Sequence, residues 1–155
     1  VSGFTVLQST DATSAGTLSR VYGNLQVDGN IIHGGTGNGG TYNFSDTVNA
    51  SSNENIFSIQ ATNGAQAFTV YFTCNMGGMS VAKVYTVVHS YGATVVYNKL
   101  VDSGPYSGED FTPTFTGATD TVTCNISNLS TSRNAEIVTT VMLGGSPTAL
   151  TVTAL

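Results

Sequence analysis

The sequence carries very little charge. Lys, Arg, Asp and Glu make up 8% of its 155 residues, whereas an ordinary soluble domain has about 25%. Thr alone outnumbers these four residue types together, and its β-branched side chain suits pleated, exposed strand positions without adding a charge. We therefore expect surfaces that pack within an assembly, where an unpaired buried charge would be costly.

Basic residues are few and scattered, which argues against a nucleic-acid partner. The net charge is −5 at pH 7, and no basic stripe is present that could displace counterions from phosphates. An anionic membrane surface is disfavoured for the same reason, and no apolar run approaches the ~20 residues of a membrane span. The four cationic residues are Arg20, Lys83, Lys99 and Arg133.

Cysteine is also scarce. Cys74 and Cys124 are too few for a disulfide scaffold, and their spacing is not that of a metal site. Both fall on apolar-facing positions of strand-like runs, so buried free thiols are favoured over a disulfide.

Candidate catalytic and metal-binding groups are isolated from one another. No Ser, His and Asp fall in a nucleophile context such as G-x-S-x-G, and Glu109-Asp110, the only adjacent carboxylate pair, fits a turn better than a calcium site. A metal held by His33 or His89 around a threefold axis is a minor alternative, and His89 fits an interface or surface position better. We expect no enzymatic activity, no catalytic residue, no metal and no cofactor.

Helical periodicity is nearly absent, and short runs of period two take its place. In Gln66–Cys74, Phe68, Val70, Phe72 and Cys74 share one face and Thr69, Tyr71 and Thr73 the other, and Asp120–Ser127 repeats this period of two. The pattern predicts an all-β fold, a jelly-roll-like antiparallel β-sandwich, over residues 41–155. Residues 1–40 are predicted to form an extended N-terminal arm or neck, because 34–40 contain five glycines in seven residues and suit a joint. The further strands are predicted at Asn55–Ala61, Met79–His89, Thr94–Asn98, Phe111–Thr116, Glu136–Leu143 and Leu150–Thr153.

Two of the predicted strands, Met79–His89 and Glu136–Leu143, are apolar on both faces. Such a strand is covered on both sides, and in a two-layer sandwich the second cover has to come from another segment or another subunit. We therefore predict an oligomer interface that contains Tyr85, Val87, Val138 and Met142.

Three tyrosines are candidates for ligand binding. Tyr91, Tyr97 and Tyr106 lie in or beside predicted loops, close to Gly and Asn. Exposed Tyr with such neighbours is common in sugar and protein recognition, although rings that cap the ends of the sandwich explain the pattern equally well.

Several segments resemble virion proteins of tailed bacteriophages. The run 23–30, GNLQVDGN, resembles neck segments of fibre and appendage proteins, marine ones especially, and 83–88, 97–106 and 139–146 resemble their C-terminal head modules. The resemblance implies a homotrimeric, jelly-roll virion protein without enzymatic activity, exposed on the outer surface of the particle.

Two assignments within the virion stay open. A fibre or spike tip would contact a host surface glycan or protein, whereas a capsid decoration protein would bind other virion proteins and stabilise the shell. Outside the virion, a secreted sugar-binding module or a surface-filament subunit is the further alternative.

Overall fold

The computed structural model describes residues 31–32, 39–61, 66–90, 92, 94–104, 109–144 and 150–155. These residues form strands and turns, and the described part of the chain contains no helix. The strands in chain order are β1 (Ile31–Ile32), β2 (Gly40–Val48), β3 (Asn53–Ala61), β4 (Gln66–Met76), β5 (Met79–Ser90), β6 (Thr94–Ser103), β7 (Phe111–Gly117), β8 (Thr121–Asn128), β9 (Ala135–Leu143) and β10 (Leu150–Ala154).

The strands form two antiparallel sheets. Sheet A has the order β1-β2-β9-β4-β5-β6, and sheet B has the order β10-β3-β8-β7. β2 pairs with β9 and β3 pairs with β8, whereas β4, β5 and β6 follow one another as a meander within sheet A. The jelly-roll-like connectivity stays a prediction. The predicted all-β antiparallel sandwich is confirmed.

The core between the sheets is rich in phenylalanine. Phe57, Phe72 and Phe111 are fully buried, and the rings of Phe72 and Phe111 meet edge to face at 6.0 Å between centroids. Burying one such side chain stabilises the fold by about 1.5–3 kcal/mol. The alternation in the sequence predicted the inward face correctly, because the buried residues include Phe68, Val70, Phe72 and Cys74 of β4 and Val122, Cys124 and Ile126 of β8.

The prediction about the two-sided strands needs a correction. Tyr85 and Val87 are buried between the sheets of this same chain, so they belong to its own core and are not available to another subunit. Val138 and Met142 do face outward, with 47% and 49% of their surface exposed. The interface itself stays a prediction. On β5 the outward-facing apolar residues are Val84 and Val88, which alternate with Tyr85 and Val87.

The sequence did not predict strand β2, and it ended β6 five residues early. Tyr42 and Val48 of β2 face inward, but Asn, Ser and Asp interrupt the pattern between them. β1 pairs with the first two residues of β2, so part of the predicted arm joins sheet A. The boundary placed at residue 40 stays a prediction, and the rest of the arm, residues 1–30, lies outside the described residues.

The hairpin between β4 and β5 depends on two glycines. Gly77 and Gly78 have φ angles of +59° and +91°, which L side chains rarely adopt. Asn75 Oδ1 accepts a hydrogen bond of 3.0 Å from the Gly78 amide. This two-residue turn fixes the β4–β5 register and therefore decides which side chains of both strands face the core.

One buried amide joins two loops at the same end of the sandwich. Asn128 Nδ2 lies within 2.9–3.1 Å of the carbonyl oxygens of Val48, Asn49 and Arg133. Its Oδ1 accepts a hydrogen bond of 3.0 Å from the Ser130 amide. Asn128 therefore supplies both donors and an acceptor to backbone groups that would otherwise be buried without partners.

Candidate functional site

The outer face of sheet A is unusually apolar for a surface. Outward positions alternate with the buried ones along β4, β5, β6 and β9, and several carry large hydrophobic side chains that are 42–58% exposed. We call this surface the apolar face. It comprises Tyr71, Val84, Val88, Val96, Val101, Val138 and Met142.

Strand register places five of these residues in two cross-strand rows, and Val138 and Met142 lie on β9 opposite Thr73 and Thr69, diagonally beside Tyr71. Tyr71 lies opposite Val84, which lies opposite Val101, and Val88 lies opposite Val96. Neighbouring strands are about 4.8 Å apart, so these side chains contact their cross-strand neighbours. Exposed apolar surface that is contiguous in this way marks an interaction site far more often than isolated hydrophobic residues do.

Two shallow hollows flank the central row that contains Tyr71. One, of about 440 Å³, lies toward the β4–β5 hairpin, and the other, of about 350 Å³, lies toward the opposite end of β4. Residues around the first include Thr73, Asn75, Ser80, Ser103, Glu136 and Val138, and residues around the second include Ala67, Thr69, Thr86, Val88, Met142 and Gly144. The apolar face therefore has relief into which a complementary surface can fit.

Charge is almost excluded from this face. Among the described residues, Glu136 is the only charged residue on this face, and it lies beside the first hollow. Two copies of a surface with so little charge can approach each other without bringing like charges together. The arrangement favours contact with another apolar protein surface.

Four charged residues gather instead at the edge between β6 and β7. The Lys83 side chain is only 4% exposed, and its Nζ lies 2.7 Å from Asp110 Oδ1 and 3.5 Å from Asp102 Oδ1. Asp102 also forms an ion pair with Lys99, and Lys83 Nζ lies 5.1 Å from the centroid of the Phe111 ring. We call Lys83, Lys99, Asp102 and Asp110 the Lys83 cluster.

Contacts with the Lys83 cluster shift the pKa values of Asp102 and of the neighbouring Tyr85. The hydrogen bond from Lys99 is the main cause that lowers the pKa of Asp102, and the charge of Lys83 lowers it further. Burial, together with the charges of Asp102 and Asp110, raises the pKa of Tyr85 to about 12. Near neutral pH, Asp102 is therefore an acceptor that has no proton to donate, and the Tyr85 phenol keeps its proton.

Among the three candidate binding tyrosines, the structure describes only Tyr97. It lies within strand β6 rather than in a loop, and it is 38% exposed. Its ring packs edge to face on Phe115 at 5.1 Å and closes the sandwich between β6 and β7. Tyr91 and Tyr106 lie outside the described residues, so a ligand-binding role for the three tyrosines stays a prediction.

His89 was expected at a surface or interface, and that expectation is wrong. The side chain is fully buried, because β5 alternates and His89 shares the inward face with Val87. His89 Nε2 lies 2.9 Å from the carbonyl oxygen of Ala118. The cross-strand neighbour of His89 is Gln66, which is also buried. Gln66 Nε2 donates a hydrogen bond to the carbonyl oxygen of Asp120. His33 lies outside the described residues.

Neither member of the Glu109-Asp110 pair is arranged to bind calcium. Asp110 forms an ion pair with Lys83 and accepts a hydrogen bond from the Phe111 amide. Glu109 Oε1 lies 3.6 Å from Arg133 Nε. Within the described ranges, no group of three or more His, Cys, Asp and Glu side chains comes together as a metal site.

The two cysteines are free and buried, as the sequence predicted. Cys74 belongs to sheet A and Cys124 to sheet B. Burial raises the pKa of both thiols, that of Cys74 to about 12. Separately, the described residues include no helix that is long and apolar enough to cross a membrane.

No protein-family model and no curated protein matches this chain. Two solved structures are similar to it. With the tailspike protein gp49 of Acinetobacter baumannii bacteriophage Fri1, a capsular polysaccharide depolymerase, the TM-score is 0.53 and the identity 15%, over 76% of this chain and 19% of the tailspike. With the tailspike protein of Acinetobacter phage vB_ApiP_P1, the TM-score is 0.51 and the identity 12%, over 88% of this chain and 25% of the tailspike.

These similarities correct the expectation that the chain has no enzymatic activity. One of the two similar proteins is a capsular polysaccharide depolymerase, so a fold of this kind occurs within an enzyme, and the lack of a recognisable catalytic motif does not exclude enzymatic activity. This chain spans about a fifth to a quarter of the length of those proteins. At 12–15% identity the likeness establishes the fold, which this chain shares with a portion of two phage tailspikes.

Proposed function

We propose that the chain is a β-sandwich domain of a phage tail appendage, displayed on the particle, that engages the host surface as part of a homotrimer. The observation that carries the proposal is the apolar face of sheet A. A domain that acted alone in solution would leave six large apolar side chains on one sheet face 42–58% exposed, without a partner for them.

The fold supports the tail assignment within the virion. Both similar structures are phage tailspikes, and the neck-like run 23–30 independently resembles appendage proteins. The capsid-decoration alternative has no comparable support, because neither similar structure is a capsid protein.

Assembly is the part of the proposal that the geometry addresses most directly. Three copies, related by an axis beside sheet A, would cover Val138, Met142 and their neighbours on each subunit. Covering a side chain of this size from full exposure contributes about 1.5–3 kcal/mol, so the six that are 42–58% exposed contribute about half of that each, roughly 5–9 kcal/mol per chain. This gain is of the same order as the cost of bringing chains together, about 4–15 kcal/mol.

The test of assembly is the solution mass of the purified chain by light scattering at micromolar concentration. We expect the mass of three chains. In the double variant Val138→Lys and Met142→Lys we expect the mass of one chain, because six lysines would be forced together on the apolar faces. The matched control is Thr112→Lys and Thr116→Lys on β7 of sheet B, which should keep the mass of three.

Two results would contradict this account. The unaltered chain could have the mass of one chain, or the Val138 and Met142 variant could keep the mass of three. The position on the particle has a separate test, in which antibodies against the purified chain are imaged on phage particles that carry it. Labelled tails support the appendage assignment, whereas labelled heads would overturn it.

A further inference from the structure

The outer face of sheet B lacks the large apolar side chains that the outer face of sheet A exposes. Every outward position along β3, β7 and β8 carries a hydroxyl or a carboxamide, and the two outward positions of β10 that can be placed carry hydroxyls. We call this surface the hydroxyl–amide face. It comprises Asn53, Asn55, Ser58, Gln60, Thr112, Thr114, Thr116, Thr121, Thr123, Asn125, Ser127, Thr151 and Thr153.

Strand register arranges these side chains in rows across the sheet. Thr114, Asn125 and Asn55 form one row, in which Asn125 Nδ2 donates to Asn55 Oδ1 at 3.1 Å. The next row contains Thr116, Thr123, Ser58 and Thr153. Groups repeat about every 4.8 Å across the strands and about every 6.7 Å along them, so the face is a regular grid of donors and acceptors.

Part of the hydrogen-bonding capacity of the grid is unused, although Thr114 Oγ1 already donates to the carbonyl oxygen of Asn125 at 3.5 Å. Within the described part of the chain, the hydroxyls of Thr116 and Thr123 bond to no other side chain or carbonyl. Each hydroxyl offers one donor and two acceptor lone pairs. The centre of the face can therefore bond a ligand without first breaking contacts within the protein.

The composition of the face narrows the class of ligand. None of its thirteen side chains is charged, so it cannot neutralise an anionic polymer. None is aliphatic or aromatic, so it lacks the apolar centre on which a protein interface depends. An uncharged grid of donors and acceptors is matched by a neutral polymer that itself carries many hydroxyls.

We propose that the hydroxyl–amide face binds a neutral polysaccharide. The inference deepens the proposed function and rests on it, since it names the ligand class and the surface through which the appendage would contact the host. The two sheets would then have different partners, because sheet A contacts other copies of the chain and sheet B contacts the glycan. Binding by a single chain should be weak, because exposed hydrogen bonds to a ligand replace hydrogen bonds to water.

The test is affinity electrophoresis of the native protein in gels that contain one polysaccharide each. Mannan, galactomannan and dextran serve as neutral probes, and hyaluronan and alginate as acidic ones. We expect slower migration in at least one neutral gel and unchanged migration in both acidic gels. The triple variant Thr114→Val, Thr116→Val and Thr123→Val should raise the dissociation constant in that neutral gel at least tenfold.

This variant keeps the shape and the strand preference of each residue, since Val replaces Thr with a methyl group in place of the hydroxyl. The matched control is Thr69→Val, Thr73→Val and Thr86→Val, which removes three hydroxyls from the outer face of sheet A. The control should migrate like the unaltered chain. If the control loses binding and the sheet B variant keeps it, the glycan lies on sheet A and the proposal is wrong.

The remaining outcomes also decide the question. No retardation in any neutral gel, or retardation in the acidic gels alone, overturns the proposal. The solution mass measured on the same samples separates this failure from that of the proposed function. Trimers that bind no glycan leave the assembly intact, whereas single chains that bind it refute the assembly and leave the glycan face standing.

Discussion

The unequal burial within the Lys83 cluster predicts unequal losses of stability when its negative or its positive charge is removed, because Lys83 is buried and the two carboxylates are partly exposed. Lys83 is 4% exposed, whereas Asp102 and Asp110 are 31% and 24% exposed. Removing the charge of Asp110 strands a buried ammonium, while removing that of Lys83 leaves carboxylates that water can reach. Breaking a buried pair costs about 3–5 kcal/mol, and since Lys83 keeps Asp102 at 3.5 Å we expect about 2–3 kcal/mol for Asp110→Asn.

The reciprocal substitution should cost less. Lys83→Met fills nearly the same volume, and its cost reduces to the lost contact with the Phe111 ring and to repulsion between two hydrated carboxylates, about 1 kcal/mol together. The Asn side chain in Asp110→Asn keeps Oδ1, which accepts the hydrogen bond from the Phe111 amide. The comparison therefore isolates charge from backbone capping.

Urea unfolding at pH 7 and one fixed protein concentration measures both costs. With a slope of about 2 kcal/mol per molar urea, Asp110→Asn should lower the midpoint by about 1.2 M and Lys83→Met by about 0.5 M. The double variant should resemble Lys83→Met, because the stranded charge is then gone. If Lys83→Met proves the more costly single change, or if the two costs simply add, this account of the cluster fails.

The remaining predictions concern a buried amide, acid stability and the thiols. Asn128→Asp places a carboxylate against three carbonyl oxygens, so urea unfolding at pH 7 should show a loss of about 2–4 kcal/mol; a neutral effect would refute the role given to this amide. Because the folded-state pKa of Asp102 is lowered, its stabilising contribution is complete above its unfolded pKa near 3.9 and disappears as the pH falls through the folded value. The acid side of the stability profile should therefore be shallower in Lys99→Met, and an unchanged profile would count against Lys99 as the main cause. Cys74 and Cys124 should react with a thiol reagent such as DTNB in urea but not in the folded protein at pH 8, since burial raises both pKa values; rapid reaction of the folded chain would show that a thiol is accessible.

Alternation along single strands made the sandwich predictable. In β4 and β8 every second residue is apolar, so the inward face could be assigned without knowing the partners of either strand. β2 escaped prediction because its pairing with β9 joins residues 87 to 103 positions apart, and its own pattern is interrupted by polar residues. Long-range pairing of this kind leaves little local trace in a sequence.

The candidate site was predictable only in part, for a related reason. Val138 and Met142 were correctly placed on an outward face, but Tyr85 and Val87 were not, because a strand that is apolar on both sides does not reveal which side meets the second sheet. Lys83 could not be recognised as buried, since its counter-charges lie on β6 and just before β7, some twenty residues away or more. The sequence also gave no sign that the polar outward residues of three separate strands lie in register.

The opposed chemistry of the two sheets has a consequence for how strongly such a particle could hold a surface. If three copies place sheet A toward a common axis, the sheet B faces point radially outward at three azimuths. A single long glycan chain could then be held at more than one face, and each further contact would be made at the high effective concentration that tethering provides. Weak, reversible contacts would add up to avidity while each one stayed quick to release, so a particle could move across a host surface without leaving it.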